Sequence, residues 1–485
     1  MLIRLRVTAL PCVVSALVST NHQTPVPPLA LELGERFVGA GFELALVGGW
    51  VRDALMRRGQ ADLDFTTNAS PEQVIETVKG WADGIWDVGI RFGTVGVIKN
   101  GEHLEITTYR AEQYEEDSRK PTVNFGTSLN EDLARRDFSI NAIALSLPDG
   151  EIHDPFGGIS DIAAGLIRTP GAPTDSFSDD PLRMMRAARF AAQLNFKVAD
   201  EVVIAMTEMA SRIEIISAER VRDELSKLLL APNPRAGLQL LIDTGIADIV
   251  LPEIPKLKLE LDEHHRHKDV FEHSIIVLEQ AIELESSHEP KSEPDLILRL
   301  AALLHDIGKP KTRKFEEGGG VSFHHHEVVG AKLAKKRMTA LRFSNEEIDS
   351  VYRLIELHLR FHGYGSGEWT DSAVRRYVRD ADDQLARLHK LTRADCTTRN
   401  KRKADNLAKT YDSLELRISE LQAQEELNSI RPALDGEQIM KLLNIKPGPK
   451  VGKAYNFLLE LRLDKGPMTE ADATRELLVW WETNK

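Results

Sequence analysis

From Leu29 to about Leu166 the apolar positions switch back and forth between the three-to-four spacing of a helix and the alternation of a strand. The pattern predicts a helix over Leu29–Gly39, a strand over Phe42–Val47, a Gly-Gly turn, a short helix over Val51–Met56 and a strand over Asp62–Thr66. Further strands fit Thr94–Lys99, His103–Tyr109 and Ala142–Leu147, which together describe an α+β unit built on a small mixed sheet. Beyond Asp180 the period becomes helical almost throughout: Leu182–Gln193, Asp200–Ala210, Ala218–Leu230 and Arg235–Thr244. Pro232, Pro252 and Pro255 break that run and end a helical unit near Lys258. A His-rich helical stretch continues to about Asn400, interrupted by polar loops at Glu285–Pro294 and Glu317–Gly320. The remainder reads as further helices, among them Asn406–Asn428. The expected organisation is an extension over 1–28, an α+β head over 29–166, an all-α neck over 167–258, a His-rich domain over 259–400 and a C-terminal helical region over 401–485.

Composition narrows this picture without changing it. The chain has 485 residues, 42% hydrophobic and 28% charged, the balance of an ordinary folded protein of about three domains. Two cysteines supply neither a disulfide framework nor a thiolate zinc site, so any metal here must be held by His, Asp or Glu. With 62 basic against 75 acidic residues the net charge is -13, and a nucleic-acid partner would need local basic patches. Lys309–Lys314, Lys332–Arg337 and Arg393–Lys403 are such patches, although runs of this kind are also ordinary solvated faces. Arg4 and Arg6 before the apolar run Val7–Val18 imitate a signal peptide, but Pro11 interrupts the run and a small-x-small cleavage site is lacking. The segment is read as a disordered extension or the product of an unused upstream start. No other stretch approaches the roughly 18 apolar residues of a membrane span, so no membrane is expected and the location is expected to be cytoplasmic.

Candidate chemistry appears first between Leu46 and Thr66. Gly48-Gly49 falls between a strand and a helix start, where bare backbone N–H groups can approach phosphate oxygens, with Arg52 close behind. Asp62 and Asp64 stand at i and i+2 of a strand and project from the same face. Two such carboxylates repel unless a cation lies between them, and a divalent ion with oxygen ligands is the usual solution. A Gly-Gly pair alone is an ordinary turn and an isolated D-x-D a solvated strand end; together with Arg52 they describe metal-assisted phosphoryl or nucleotidyl transfer. Alternation puts Glu105, Thr107 and Tyr109 on one face of their strand. If that face also carries the aspartates, Glu105 is a third carboxylate or the acceptor of a proton; otherwise it is a surface residue of an edge strand. Farther on, Arg183, Arg186 and Arg189 recur every three residues along one side of a helix, a row of charge that a triphosphate would offset. Asp180 and Arg183 together offer acceptors and donors to the edge of a base.

These segments in order, GGWVRD, DLDFTT, LARRDFSINAIAL (Leu133–Leu145) and DDPLRMMRAARFAAQLNF (Asp179–Phe196), closely resemble the class II tRNA nucleotidyltransferases, the CCA-adding enzymes and their bacterial poly(A) polymerase relatives, over about residues 40–260. The resemblance implies a nucleotidyltransferase head of the polymerase beta superfamily, with Mg²⁺ on Asp62 and Asp64. It also implies triphosphate contacts from Gly48, Gly49 and Arg52, and nucleotide contact by Arg136. Base reading falls on Asp180 and Arg183, followed by Arg186 and Arg189. The family's Glu-Asp is Asp179-Asp180 here, which leaves the base-reading Asp in place. The polar segment Arg110–Asn130 falls where the family has a flexible loop that helps the site change from CTP to ATP. The implied partners are tRNA, CTP and ATP, with no protein partner inferable.

A second constellation, His273, His305-Asp306 and Asp395, fits H…HD…D and resembles the HD metal-dependent phosphohydrolase superfamily. Its implied ligands for a divalent transition metal or Mg²⁺ are His273, His305, Asp306 and Asp395, with His326 and His358 as candidates for a second ion; His324 and His325 read as a polar loop. The expected function is CCA addition to tRNA. Poly(A) polymerase, partial CC or A addition, and an HD phosphohydrolase with a nucleotide-binding head are the alternatives, and phosphomonoesters or 2′,3′-cyclic phosphates are the implied HD substrates.

Overall fold

The computed structural model of the protein describes residues 26–59, 62–86, 89–90, 93–113, 122–125, 128–258, 270–317, 320–363, 369–397, 400–425 and 430–484. The chain divides after Val250 into two compact units. The expected extension lies outside the described residues up to position 25, but its last residues are ordered: Val26 packs on the core and Pro28 opens the first helix.

The first unit starts with α1 (Pro28–Gly39), β1 (Leu44–Val47), α2 (Gly49–Leu55), β2 (Leu63–Thr67), α3 (Pro71–Val78), β3 (Gly84–Trp86), β4 (Thr94–Lys99) and β5 (Glu102–Thr108). A hairpin β6 (Arg110–Gln113) and β7 (Thr122–Phe125) leads into α4 (Leu129–Ala134), β8 (Ala144–Leu147) and β9 (Ile152–His153). Seven strands form a mixed sheet in the order β3-β4-β5-β2-β1-β8-β9, in which only β2 and β5 run parallel. The all-buried Leu44–Val47 marks β1 as central, while β2 and β5 alternate, burying Leu63, Phe65, Leu104 and Ile106 on one face. That alternation sends Asp64 and Glu105 to the other face in direct register. α3 begins with a capping box in which Ser70 accepts from the Gln73 N–H and the Gln73 side chain accepts from the Ser70 N–H.

The neck follows as α5 (Gly158–Ala164), β10 (Leu166–Ile167), α6 (Pro173–Asp179), α7 (Leu182–Leu194), β11 (Lys197–Val198), α8 (Asp200–Glu208), α9 (Ala218–Leu229), α10 (Pro234–Asp243) and α11 (Ile246–Val250). α7 packs against α9 and α10. Gly237 allows the second contact, because a Cβ there would stand 2.4 Å from the Ala188 carbonyl oxygen. Asn195 ends α7 in a left-handed turn, and Arg58 donates to the Gln193 and Leu194 carbonyls at 3.2 and 3.4 Å, a cation placed at the negative end of the helix.

Among its described residues the second unit is helical apart from one short hairpin. It comprises α12 (Val270–Ser287), α13 (Leu296–Leu304), α14 (Lys309–Thr312), β12 (Lys314–Phe315), β13 (Val321–Ser322), α15 (His326–Ala340), α16 (Asn345–Leu357), α17 (Asp371–Ala381), α18 (Leu385–Ala394) and α19 (Lys401–Gln424), then α20 (Gly436–Leu443), α21 (Pro449–Lys465) and α22 (Glu470–Asn484). α13 is its centre: Leu298 to Leu304 are all buried, and α12, α16 and α18 pack around it. Arg299 on that helix is buried against Glu285 at 2.6 Å. The last three helices close on their own small core of Ile439, Ala454, Leu458 and Leu477. No helix among the described residues is long and apolar enough to cross a membrane.

The α+β class with a small mixed sheet and helical regions beyond it agrees with the sequence reading; individual limits differ. β1 begins at Leu44 rather than Phe42, and Ser139–Asn141 forms a turn of 3-10 helix ahead of β8. β5 ends at Thr108, one residue short of the expected limit; Tyr109 is buried, and its hydroxyl donates to Glu43 at 3.1 Å. Of the expected loop Arg110–Asn130, the two ends pair as β6 and β7, and residues 114–121 lie outside the described residues. The helix expected over Asn406–Asn428 starts at Lys401 and ends at Gln424, with residues 426–429 outside the described set.

Candidate functional site

In the head the turn after β1 faces the carboxylates of β2. Gly48 adopts φ 71°, a conformation open to glycine, and a Cβ there would stand 3.4 Å from Arg136 Nη1 and 3.7 Å from Asp64 Oδ2. The turn, the aspartate and the arginine therefore meet at one place. Asp64 lies opposite Glu105 in the β2–β5 register, and Asp62 sits exposed one residue ahead of the strand. Burial pushes the Asp64 carboxyl up to about 6, Glu105 and Asp62 add to the rise, and Arg136 opposes it. Asp64 thus lies among carboxylates whose repulsion one arginine only partly offsets, a setting a divalent cation would relieve, although the three do not close into a compact ligand group among the described residues.

Arg136 is itself held. Asp132, fully buried four residues earlier, lies 3.1 Å from Arg136 Nη2 and 2.6 Å from Arg135 Nη2, and accepts from the Thr66 hydroxyl at 3.3 Å. Arg52, 4% exposed, donates to Asp53 and to Asn141 Oδ1, each at 2.8 Å, with its guanidinium 5.3 Å from the centre of the Phe190 ring. Asn141 in turn donates to Asp137 Oδ1 at 3.0 Å, while Arg186 donates to Asp137 Oδ2 at 2.8 and 2.5 Å. Burial acts to raise the Asp137 carboxyl, but the Arg186 charge and these hydrogen bonds outweigh it and hold the group well below the usual range. Arg189 donates to Glu224 at 2.7 Å and lies 4.1 Å over Phe190. A continuous polar chain thus runs from Arg52 in the head through Asn141, Asp137 and Arg186 to Glu224 and Arg189 in the neck.

The second unit gathers its histidines around Asp306. His305 and Asp306 follow the end of α13, His273 projects from α12, and Asp395 follows α18. His273 Nε2 lies 3.3 Å from His305 Nε2, 3.0 Å from Asp395 Oδ1 and 3.4 Å from Asp306 Oδ2. On its other side Asp306 Oδ1 is 3.3 Å from His326 Nε2, and Asp306, His326 and His358 form a second compact ligand group. In His305, His326 and His358 the Nδ1 faces a backbone carbonyl at 2.9, 2.8 and 2.6 Å, which turns each Nε2 lone pair inward, as metal-ligating imidazoles require. His358 Nε2 is buried with no hydrogen-bond partner among the described residues. Burial pushes the His358 imidazole down to about 3, whereas the negative charge of Asp306 lifts His305 to about 9 against the effect of its burial. The donors and the orphaned imidazole fit a divalent ion, with Asp306 common to both ligand groups.

Residues 44–168 match the family described as "Poly A polymerase head domain", residues 195–257 "Probable RNA and SrmB- binding site of polymerase A", and residues 270–400 "HD domain". A CCA-adding enzyme of Streptococcus agalactiae is 32% identical over 424 residues, 87% of this chain and 89% of that protein. The chain belongs to the CCA-adding enzyme family. The CCA-adding enzyme of Streptococcus gordonii is 42% identical over 235 residues, 48% of this chain; in this and similar matches the chain spans little more than half the relatives' length, here 57%. Among solved structures, the Bacillus stearothermophilus CCA-adding enzyme in complex with CTP aligns over 95% of this chain and 99% of that one, with a TM-score of 0.66 at 24% identity. The Thermotoga maritima CCA-adding enzyme complexed with tRNA aligns over 96% and 98%, with a TM-score of 0.59 at 21% identity. At these identities the structures speak for the fold.

Of the candidates named from sequence, Gly48, Asp64 and Arg136 come together at the turn after β1, where Gly49 opens α2; Glu105 lies opposite Asp64 in the strand register, and Asp62 stands one residue ahead of β2. Arg52 is tied through Asn141 and Asp137 to Arg186 in the neck, and His273, His305, Asp306 and Asp395 converge with His326 and His358. The exposed His324 and His325 stay outside, as a polar loop would. The neck differs from the expected row of free positive charge, because Arg186 and Arg189 are already neutralised by Asp137 and Glu224. Asp180 and Arg183 are not paired with each other. Asp180 meets Arg220 at 2.7 Å, and Arg183 donates to the Arg135 carbonyl at 2.5 Å and to the Ser176 hydroxyl at 2.9 Å. Sequence reasoning passed over Asp132, Asp137, Asn141 and Glu224. Asp132 was within reach, four residues before Arg136 at the end of α4, whereas the other three act only through contacts made by folding.

Proposed function

We propose that this protein adds C, C and A to the 3′ end of tRNA from CTP and ATP without a nucleic-acid template, acting in the cytoplasm. The observation that carries this reading is Asp64 beside Arg136 at the Gly48 turn, with Glu105 and Asp62 acting on the Asp64 carboxyl, in a chain of the CCA-adding family. Mg²⁺ held by Asp62 and Asp64 would lower the pKa of the attacking hydroxyl and neutralise charge on the departing pyrophosphate. The residues of the chain do the rest. Gly48 and Gly49 let phosphate oxygens approach the backbone, Arg136 and Arg52 bind the triphosphate, and Glu105 accepts the proton of the tRNA 3′-hydroxyl. Asp132 and Asn141 keep the two arginines aimed. Cytosine and adenine both present an exocyclic amino group next to a ring nitrogen acceptor, so a carboxylate at Asp180 and a guanidinium at Arg183 serve both bases. Uracil and guanine present a carbonyl and an N–H there and reverse the pattern.

Purified protein, a tRNA lacking its last three nucleotides and each labelled triphosphate test the proposal. Two CMP followed by one AMP support it; a long A tail indicates polyadenylation, and absence of incorporation refutes it. The inward-turned His358 Nε2 favours a second, hydrolytic activity at the His/Asp cluster on phosphomonoesters or 2′,3′-cyclic phosphates, which loss of phosphate release in Asp306→Ala would verify.

A further inference from the structure

His273 is the least buried of the four clustered histidines. Its side chain is 17% exposed, against 1% for His305 and 7% for His326, and His358 is buried. Packing confines the other three rings, so His273 needs a restraint of its own. One turn supplies it. Asp395, Cys396 and Thr397 follow α18, with the Thr397 N–H bonded to the Asp395 carbonyl at 2.9 Å. From this turn Asp395 Oδ1 lies 3.0 Å from His273 Nε2, and Thr397 Oγ1 lies 3.2 Å from His273 Nδ1. Both ring nitrogens are therefore met by side chains of three consecutive residues.

We propose that Thr397 is a positioning residue for a metal centre in the His/Asp cluster: its hydroxyl sets the rotation of the His273 ring, so that Nε2 faces His305, Asp306 and Asp395. The inference rests on the metal-binding reading of that cluster. The chemistry of the partner separates His273 from the other three histidines. His305, His326 and His358 turn Nδ1 to a backbone carbonyl, which only accepts and so commits each neutral ring to a proton on Nδ1. A hydroxyl both donates and accepts. Facing one, the His273 ring can carry its proton on Nδ1, with Nε2 free to ligate. It can equally carry the proton on Nε2, where Asp395 Oδ1 and Asp306 Oδ2 lie 3.0 and 3.4 Å away to accept it. Thr397 thus keeps the ring in one orientation whichever nitrogen is protonated. That latitude suits the exposed edge of the cluster, where an ion arrives and departs, and a carbonyl in its place would not give it.

The experiment titrates the full chain with Mn²⁺ and reads the free ion by electron paramagnetic resonance, in wild type, Thr397→Val, Thr397→Ser and Asp306→Ala. The ions missing from Asp306→Ala are those the cluster holds, which separates them from any bound at the head. Partners behind a metal-ligating imidazole are worth about 10–100-fold in affinity. Thr397→Val keeps the outline of the side chain and removes the hydroxyl, and is expected to weaken one cluster ion at least about tenfold, leaving the ion on Asp306, His326 and His358 in place. Thr397→Ser should bring the affinity back to within about threefold of wild type, since it restores the hydroxyl. If Thr397→Val binds as wild type does while Asp306→Ala loses its ions, or if the Val and Ser variants weaken alike, the positioning role is wrong and the metal site stands. If Asp306→Ala binds as many ions as wild type, the cluster holds no metal and both readings fall.

Discussion

Asp137→Ala is the most informative single change in the first unit. It removes a buried carboxylate that accepts from Arg186 Nε and Nη2 at 2.8 and 2.5 Å, from the Phe138 N–H at 2.8 Å and from Asn141 Nδ2 at 3.0 Å. Breaking a buried ion pair from one side costs about 3–5 kcal/mol, because the remaining charge is stranded. Here Glu224, 3.6 Å from Arg186 Nη1, takes over part of the compensation, which puts the expected loss near the lower end, about 3 kcal/mol. The second effect is local. Asn141 loses the partner that orients it, so Arg52 loses its fixed acceptor, and the KM for CTP should rise about tenfold, the size of one hydrogen bond to a charged group. The pH dependence has a definite sign. The Asp137 carboxyl is held below its ordinary 3.8 in the folded protein, so its contribution is fully present above that value and is lost as pH falls through the lower folded-state value. The difference between wild type and variant should therefore be flat between about pH 6 and 8 and shrink below about pH 4. Hydrogen exchange read by mass spectrometry on peptides covering α7 and β8 measures it without requiring the two units to unfold together. A loss under about 1 kcal/mol at pH 7, or a loss as large at pH 3 as at pH 7, would refute the reasoning.

Asp64→Asn should abolish nucleotide addition yet stabilise the chelator-treated protein at pH 8. A carboxyl raised to about 6 contributes stability below 3.8 that is lost as pH rises through 6, so the gain, up to about 3 kcal/mol, should vanish by pH 4 in thermal scans with EDTA. Gly48→Ala, forced to φ 71° and with its Cβ 3.4 Å from Arg136, should cost about 1–2 kcal/mol and most of the incorporation rate; unchanged kinetics would remove the turn from the site. In the His/Asp cluster, metal analysis after loading with Mn²⁺ should find His358→Ala short of one ion and Asp306→Ala short of both. Equal losses in the two variants would contradict two ligand groups sharing Asp306.

Much of this architecture can be read from spacing. The alternation in β2 and β5 places Asp64 and Glu105 on one face, and the register shows them side by side. The His-rich stretch likewise resolves into one cluster, because His305 and Asp306 follow a helix buried from Leu298 to Leu304, around which α12, α16 and α18 pack. Legibility fails where a side chain's partner comes from far along the chain. The three-residue period of Arg183, Arg186 and Arg189 gives a shared side but says nothing about Asp137 and Glu224, which lie 49 residues before Arg186 and 35 after Arg189. The end of β5 is less legible for a local reason: Thr108 and Tyr109 are both buried, so the alternation that marks the strand breaks down at its last residues.

The arginines gathered about Phe190 also bear on salt. Since Arg186 and Arg189 have their charge spent on Asp137 and Glu224, this side of α7 would offer the proposed nucleotide direction and shape rather than net attraction. Ions in solution compete with long-range pull and hardly at all with short, dry contacts of fixed geometry. On the proposed function, the choice between bases should accordingly persist at ionic strengths that already strip a polyanion from the protein's outer surface, so that under rising salt tRNA would be lost before the wrong letter is added.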